Sequence, residues 1–183
     1  MPKLILGFVG EMASGKGLAA KYLKEKHGAS THRFSDPLRD VLSRIGEETS
    51  RENLIRLSGI LRASFGQNLL AKILSEDAQK NGNRIIIVDG IRRFPDIEYL
   101  RPLPEFKLVY VTADLKTRYE RLLARGENAG DTRKTLAEFK KDHEAETEIN
   151  IPKIGATADY NIENNKTEAE LYEAIDRIIA KHS

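Results

Sequence analysis

A chain of 183 residues with 40% hydrophobic and 32% charged side chains has the make-up of one ordinary globular domain, long enough to bury a substantial core. Thirty basic residues against 28 acidic ones leave a net charge of only +2, which excludes a general electrostatic claim on nucleic acid or on membranes, so any affinity for phosphate must be local. The lack of cysteine removes disulfides, thiol nucleophiles and cysteine metal sites; with a strand starting near the first residue and no apolar run of about twenty residues, a cytoplasmic monomer is expected.

Leu4-Ile5-Leu6-Gly7-Phe8-Val9 is an apolar run that predicts a strand. The loop Gly10-Glu11-Met12-Ala13-Ser14-Gly15-Lys16-Gly17 follows, and then a helical pattern with Leu18, Ala19, Tyr22 and Leu23 on one face. Strand, glycine loop and helix in this order form the setting of a phosphate-binding loop. Gly10 and Gly15 let backbone N–H groups turn inward around an anion, the helix N-terminus adds partial positive charge, and Lys16 reaches the outer phosphates. A plain turn with a solvated lysine is the bland alternative, but a cation at a helix N-terminus opposes the dipole unless an anion is present. The pattern G-x-x-x-x-G-K is met, while the next position, which usually supplies a hydroxyl to magnesium, is Gly17.

The first helix should end near His27-Gly28, with Thr31–Phe34 as an edge strand. Asp36 at an N-cap and Pro37 at the first helical position start a second helix. Leu54, Leu57, Leu61 and Phe65 mark one helix stopped by Gly66, and Leu69, Leu70, Ile73 and Leu74 mark the next. This is more helix than a crossover needs, so residues 36–66 are expected to stand over the sheet as a segment that holds a substrate. Ile85–Val88 is a continuous β-branched run typical of a buried parallel strand. It ends in Asp89-Gly90-Ile91-Arg92-Arg93, where an aspartate is well placed to face a ligand crevice, although an aspartate before glycine also suits a simple turn.

Leu108–Val111 predicts another strand, and Asp114 opens a helix carrying Arg118, Arg121 and Arg125 on about one face. A solvated arginine face is the bland reading of that spacing. Residues 126–134 are polar, and Thr135 with Glu138 forms a capping box for a helix expected from Leu136 to Ile149. His143 with Glu146 lacks the ligand count for zinc and reads as solvated. Asp159–Ile162 is a last strand, Asn164-Asn165 a turn, and Thr167 with Glu170 caps a final helix containing Leu171, Ile175, Ile178 and Ile179. Strands alternating with amphipathic helices predict a doubly wound α/β fold of the P-loop NTPase type: a five-stranded parallel sheet with helices on both faces, in one domain over residues 1–183. Its ligands belong outside the carboxyl ends of the strands.

The sequence resembles the P-loop kinases of small phosphorylated molecules, the nucleoside monophosphate kinase and dephospho-coenzyme A kinase group. Gly15-Lys16-Gly17 resembles the G-K-G of adenylate kinases. Phe34–Arg39 and Asp89–Arg92 are similar to segments of deoxynucleoside monophosphate kinases and of an archaeal family of kinase-like proteins. Arg118–Gly126 resembles the arginine-bearing opening of a lid, and Ala158–Ile162 the closing strand of dephospho-coenzyme A kinases. Two departures stand out: Leu18 occupies the place of the adenylate kinase threonine, and the segment from Leu136 to Ile149 carries Lys140 and Lys141 but no arginine.

The resemblance implies ATP with Mg²⁺ as cofactors, ATP bound by Gly10, Ala13, Ser14, Gly15, Lys16, Gly17 and Leu18, and Arg121 packed on the base. Lys16, Arg92 and Arg125 would be the catalytic cations, since phosphoryl transfer needs mainly alignment and charge neutralisation. Asp89 would hold magnesium; Asp36, Arg39, Arg62 and Arg92 would hold the acceptor, with surface arginine the plainer reading of Arg39 or Arg62 alone. The expected activity is transfer of a phosphoryl group to a small phosphorylated acceptor, foremost a (deoxy)nucleoside monophosphate, with dephospho-coenzyme A as the alternative acceptor and a lid over about residues 118–140. A regulatory GTPase would need N-K-x-D, and Asn165-Lys166-Thr167-Glu168 is better explained as turn and cap. A nucleotide-binding module without catalysis is the remaining alternative, raised by Gly17 and Leu18.

Overall fold

A computed structural model describes residues 3–125, 131–144 and 148–182. Five strands, β1 (Leu4–Val9), β2 (Ser30–Arg33), β3 (Ile85–Asp89), β4 (Phe106–Thr112) and β5 (Tyr160–Glu163), form one parallel sheet in the order β2-β3-β1-β4-β5. The helices are α1 (Lys16–His27), α2 (Asp36–Arg44), α3 (Arg51–Phe65), α4 (Leu69–Lys80), α5 (Leu115–Arg125), α6 (Leu136–Asp142), α7 (Ile151–Gly155) and α8 (Glu168–Ala180). The chain leaves β1 for β2 at the far edge of one side and later crosses to β4 and β5 on the other. The strand order therefore reverses around β1, and the crevice for ligands opens there, beyond the end of β1.

The period of two along each strand divides the core into two layers. Ile5 and Val9 of β1, Ile86 and Val88 of β3 and Leu108 of β4 pack with Leu38 of α2, Leu70 and Leu74 of α4 and Ile151 and Ile154 of α7. Leu4, Leu6 and Phe8, with Ile85, Ile87, Val109 and Val111, face Ala19 and Leu23 of α1 and Leu171, Ile175 and Ile178 of α8. Both faces of the central strands are thus apolar, which is why β1 and β3 read as unbroken hydrophobic runs. Each such side chain contributes about 1.5–3 kcal/mol on burial. No helix among the described residues is long and apolar enough to cross a membrane.

Several local expectations need correction. Ser35, not Asp36, occupies the N-cap of α2; Asp36 lies in the first turn and its Oδ2 accepts from the Arg33 backbone N–H at 2.7 Å. Phe65 does not join the apolar face of α3 but is 68% exposed, because α3 ends there at Gly66 with φ 103° and the chain turns away. The helix expected from Leu136 to Ile149 stops at Asp142, and a separate short helix, α7, starts at Ile151 with Pro152 in its first turn. The capping boxes at Thr135/Glu138 and Thr167/Glu170 form as the spacing predicts.

Candidate functional site

The loop between β1 and α1 is shaped by close packing against β4 and by left-handed backbone turns. A Cβ on Gly10 would stand 2.1 Å from the Val111 carbonyl oxygen of β4, so only glycine lets the two backbones come this near. Ala13 has φ 60° and Gly15 φ 108°, positive values just before a helix of the kind found in anion-binding backbone turns. Helix α1 carries no acidic residue in its first turn, so its N-terminal partial charge is not neutralised from within. From the far side, the Asn164 side-chain amide donates to the Ser14 carbonyl at 2.9 Å, while the Asn164 backbone N–H donates to Thr112 at 2.7 Å. Asn164 is 4% exposed and ties the loop to the end of β5.

Lys16 is half-buried, and its ammonium donates to the carbonyls of Gly10 at 2.6 Å and Glu11 at 3.0 Å. Burial pushes its pKa from 10.5 down to about 8, against the opposing pull of Asp89, Glu148 and Glu11 and with a further push down from Arg92. Glu11 is held beneath the loop by the Tyr110 hydroxyl at 2.7 Å. Burial and that carboxylate together raise the Tyr110 pKa.

A cleft of about 940 Å³ opens over this loop. It brings together Gly10, Ala13, Ser14, Gly15, Lys16, Gly17 and Leu18, Asp89 and Arg92 from the end of β3, and Arg121 from α5. Arg121 donates to the Asn164 carbonyl at 2.8 Å. Gly17 faces open space, with nothing within 4 Å of a Cβ built there. Asp89 is the carboxylate placed at the lysine's end of the cleft by β3, and no group of three or more histidine, aspartate or glutamate ligands exists among the described residues. A magnesium ion fits this donor set if a single carboxylate, phosphate oxygens and water share its coordination.

Three expected acceptor residues do not line this cleft. Asp36 is spent on the Arg33 amide. Arg39 is exposed on α2. Arg62, expected to meet the acceptor, is 8% exposed; its guanidinium donates to Asp96 Oδ1 at 2.8 Å and to the Gln67 carbonyl. Asp96 Oδ2 in turn accepts the backbone N–H groups of Arg92 at 3.0 Å and Arg93 at 2.9 Å. Arg62 therefore fixes the turn that carries Arg92 instead of reaching the cleft. Arg118 also differs from expectation: it is 6% exposed, donates to the Ala113 carbonyl at 2.8 Å and to His143, and lies over the Phe139 ring. His143, expected to be solvated, accordingly joins α5 to α6. The Arg125 side chain and residues 126–130 lie outside the described part of the chain.

Glu148 was not anticipated. It lines the cleft with 8% exposure, its Oε1 accepting from Arg92 at 2.9 Å. No local sequence pattern marks it, because its partner is 56 residues away. Asn164 was visible only as a turn residue, although its position just past a strand's carboxyl end carried a usable hint.

A family model described as an AAA domain matches residues 6–149. The UPF0200 protein of Sulfurisphaera tokodaii is 32% identical over 177 residues, covering 97% of this chain and 96% of that protein. Among solved structures, TT1252 from Thermus thermophilus aligns with a TM-score of 0.67 at 17% identity over 100% of both chains. A shikimate kinase from Bacteroides thetaiotaomicron aligns at 0.62 and 13% identity over 98% of both. The last two establish the fold, and the first two the kinship: the chain belongs to the UPF0200 family and contains an AAA domain with a P-loop kinase-like fold.

Proposed function

We propose that the protein transfers the γ-phosphoryl group of ATP, bound with Mg²⁺, to a small phosphorylated acceptor. One observation carries this reading: cations from three separate elements, Lys16, Arg92 and Arg121, converge with Asp89 on one cleft at the carboxyl ends of the strands. Phosphoryl transfer asks for that kind of convergence, since the charge spreading over the transferred group must be neutralised by groups already in place. In the proposed arrangement the Gly10–Leu18 loop would hold the phosphates, Lys16 would reach the outer ones and Arg121 would lie against the base. Asp89 would hold the magnesium ion, which would supply charge neutralisation to the phosphate oxygens when bound. Arg92 takes the acceptor's anionic group, with residues 36–66 and about 118–140 of a single cytoplasmic domain framing the two substrates.

Two acceptor classes fit. A (deoxy)nucleoside monophosphate would receive the group on a phosphate oxygen. A molecule such as dephospho-coenzyme A would receive it on a hydroxyl, a reading favoured by a carboxylate beside Arg92. The fold shared with a protein named as a shikimate kinase supports phosphotransfer to a small molecule in either case. The test is a coupled assay of ADP release from Mg-ATP across nucleoside monophosphates, deoxynucleoside monophosphates and dephospho-coenzyme A. Acceptor-dependent ADP release is expected. ATP binding without turnover on any of them would favour a non-catalytic nucleotide-binding module.

A further inference from the structure

The Glu148 carboxylate divides its two oxygens between different tasks. Oε1 accepts from the Arg92 guanidinium at 2.9 Å. Oε2 is buried and meets no hydrogen-bond donor among the described residues. The side chain is 8% exposed, whereas Arg92 is 52% exposed and keeps most of its N–H donors for something else in the cleft. A buried carboxylate oxygen without a donor is costly, and native proteins retain few of them unless a ligand, ion or water completes the bond. Lys16 directs two of its three N–H donors to the Gly10 and Glu11 carbonyls and makes no bond to that oxygen.

The chemistry of the missing donor is constrained. The oxygens of ATP and of a phosphate dianion are acceptors, so at this point they repel the carboxylate. A hydroxyl donates. We propose that Glu148 is the proton acceptor of the reaction, and that the receiving atom of the acceptor is a hydroxyl oxygen on a molecule whose anionic substituent pairs with Arg92. This rests on the phosphotransferase reading above and selects the hydroxyl class within it.

The hydroxyl oxygen forms a bond to the γ-phosphorus while its proton passes to Glu148 Oε2. The bond between the γ-phosphorus and the bridging oxygen breaks, and ADP leaves with that electron pair. The product is a phosphomonoester, and Glu148 returns its proton to solvent. A positioned general base of this kind contributes roughly 10²–10⁴-fold in rate. Its bond to Arg92 also keeps the carboxylate aimed, while the same arginine draws in the substituent that aligns the hydroxyl.

The test uses the whole protein with Mg-ATP, comparing Glu148→Gln with the parent. Glutamine retains an oxygen that accepts from Arg92 but does not act as a base. The first readout is slow hydrolysis of ATP, in which water takes the hydroxyl's place, so that no acceptor need be known. The expected result is a fall in kcat of at least about 100-fold, with KM for ATP within about twofold. The second is ³¹P NMR of the products formed with dephospho-coenzyme A and with nucleoside monophosphates; a phosphomonoester is expected in place of a phosphoanhydride. Hydrolysis unchanged in Glu148→Gln would overturn the proposal and leave Glu148 as a partner of Arg92. So would a phosphoanhydride product formed equally well by the variant, although the phosphotransferase reading would survive. If the parent binds no ATP, the phosphotransferase reading falls first.

Discussion

Arg62 and Asp96 form an ion pair at 2.8 Å with side chains only 9% and 3% exposed, and the same aspartate caps the backbone amides of Arg92 and Arg93. An arginine expected to touch substrate thus sets the position of one that does line the cleft. Its effect is transmitted through one carboxylate.

Removing one member of that pair leaves the other as an unpaired buried charge. Arg62→Ala should therefore cost about 3–5 kcal/mol of stability in urea unfolding. Asp96→Ala should cost no less, because it also orphans two backbone amides. The double variant should lose clearly less than the sum of the two single losses, since it leaves neither charge stranded. A loss below about 1 kcal/mol in Arg62→Ala would mean that water satisfies Asp96 instead.

Lys16 should matter to turnover and weigh against stability. Lys16→Ala is expected to lower turnover by about 10³-fold or more, as loss of a cation on the transferred group does elsewhere. In the folded protein Lys16 loses its proton near pH 8, whereas the unfolded chain keeps it to about 10.5. Between those values the unfolded state binds more protons, so the lysine's destabilising contribution is fully present below pH 8 and is relieved as pH rises toward 10.5. The stability of the parent relative to Lys16→Met should therefore climb across that window in parallel urea titrations. A flat difference would contradict the burial of the ammonium. Nucleotide phosphates should restore the proton, and calorimetry in buffers of different ionisation enthalpy above pH 8 should register proton uptake on ATP binding.

The magnesium requirement should rise sharply in Asp89→Asn, with little change in saturating kcat once the metal is supplied. Gly17 offers room for the hydroxyl that it lacks, so Gly17→Ser should fold normally and shift the magnesium titration to lower concentration. An Asp89→Asn curve that overlays the parent's would place the metal elsewhere.

The phosphate loop should depend on Asn164. Asn164→Ala removes the amide bond to the Ser14 carbonyl and should cost about 1 kcal/mol of stability, with a larger fractional loss in binding of a fluorescent ATP analogue. Gly15→Ala should be worse for binding, because a Cβ there combines φ 108° with a 2.2 Å approach to the Asn164 amide. Nucleotide affinity equal to the parent's in both variants would show that the loop is held by α1 alone.

Closure over the cleft should involve α6 moving with α5. Phe139 is fully buried against Tyr119, Arg118 and His143, and Tyr119 donates to the Lys134 carbonyl at 2.8 Å. A bisubstrate analogue should slow amide exchange over residues 118–125 and 131–140, much more than ATP alone. Phe139→Ala should remove most of that protection while leaving exchange in β1 and β3 unchanged. Equal protection with and without the analogue would mean a fixed cover.

The sequence by itself determined the strand-loop-helix unit at Leu4–His27, the parallel strand ending in Asp89, the two capping boxes and the doubly wound sheet, because each is written in neighbouring residues. Gly10, Gly15 and Lys16 act within one turn of chain, and the unbroken apolar runs of β1 and β3 follow directly from burial on two faces. The long-range pairings were decided only by the tertiary structure. Whether an arginine on an amphipathic helix reaches solvent, substrate or a carboxylate depends on what lies opposite, and for Arg62 and Arg118 that proved to be Asp96 and His143. The same holds for Glu148 opposite Arg92 and Asn164 opposite Ser14. Periodicity reports which way a side chain points along its own element; the partner across the cleft is set by how β3, α5, α7 and β5 are laid side by side, which no local pattern encodes.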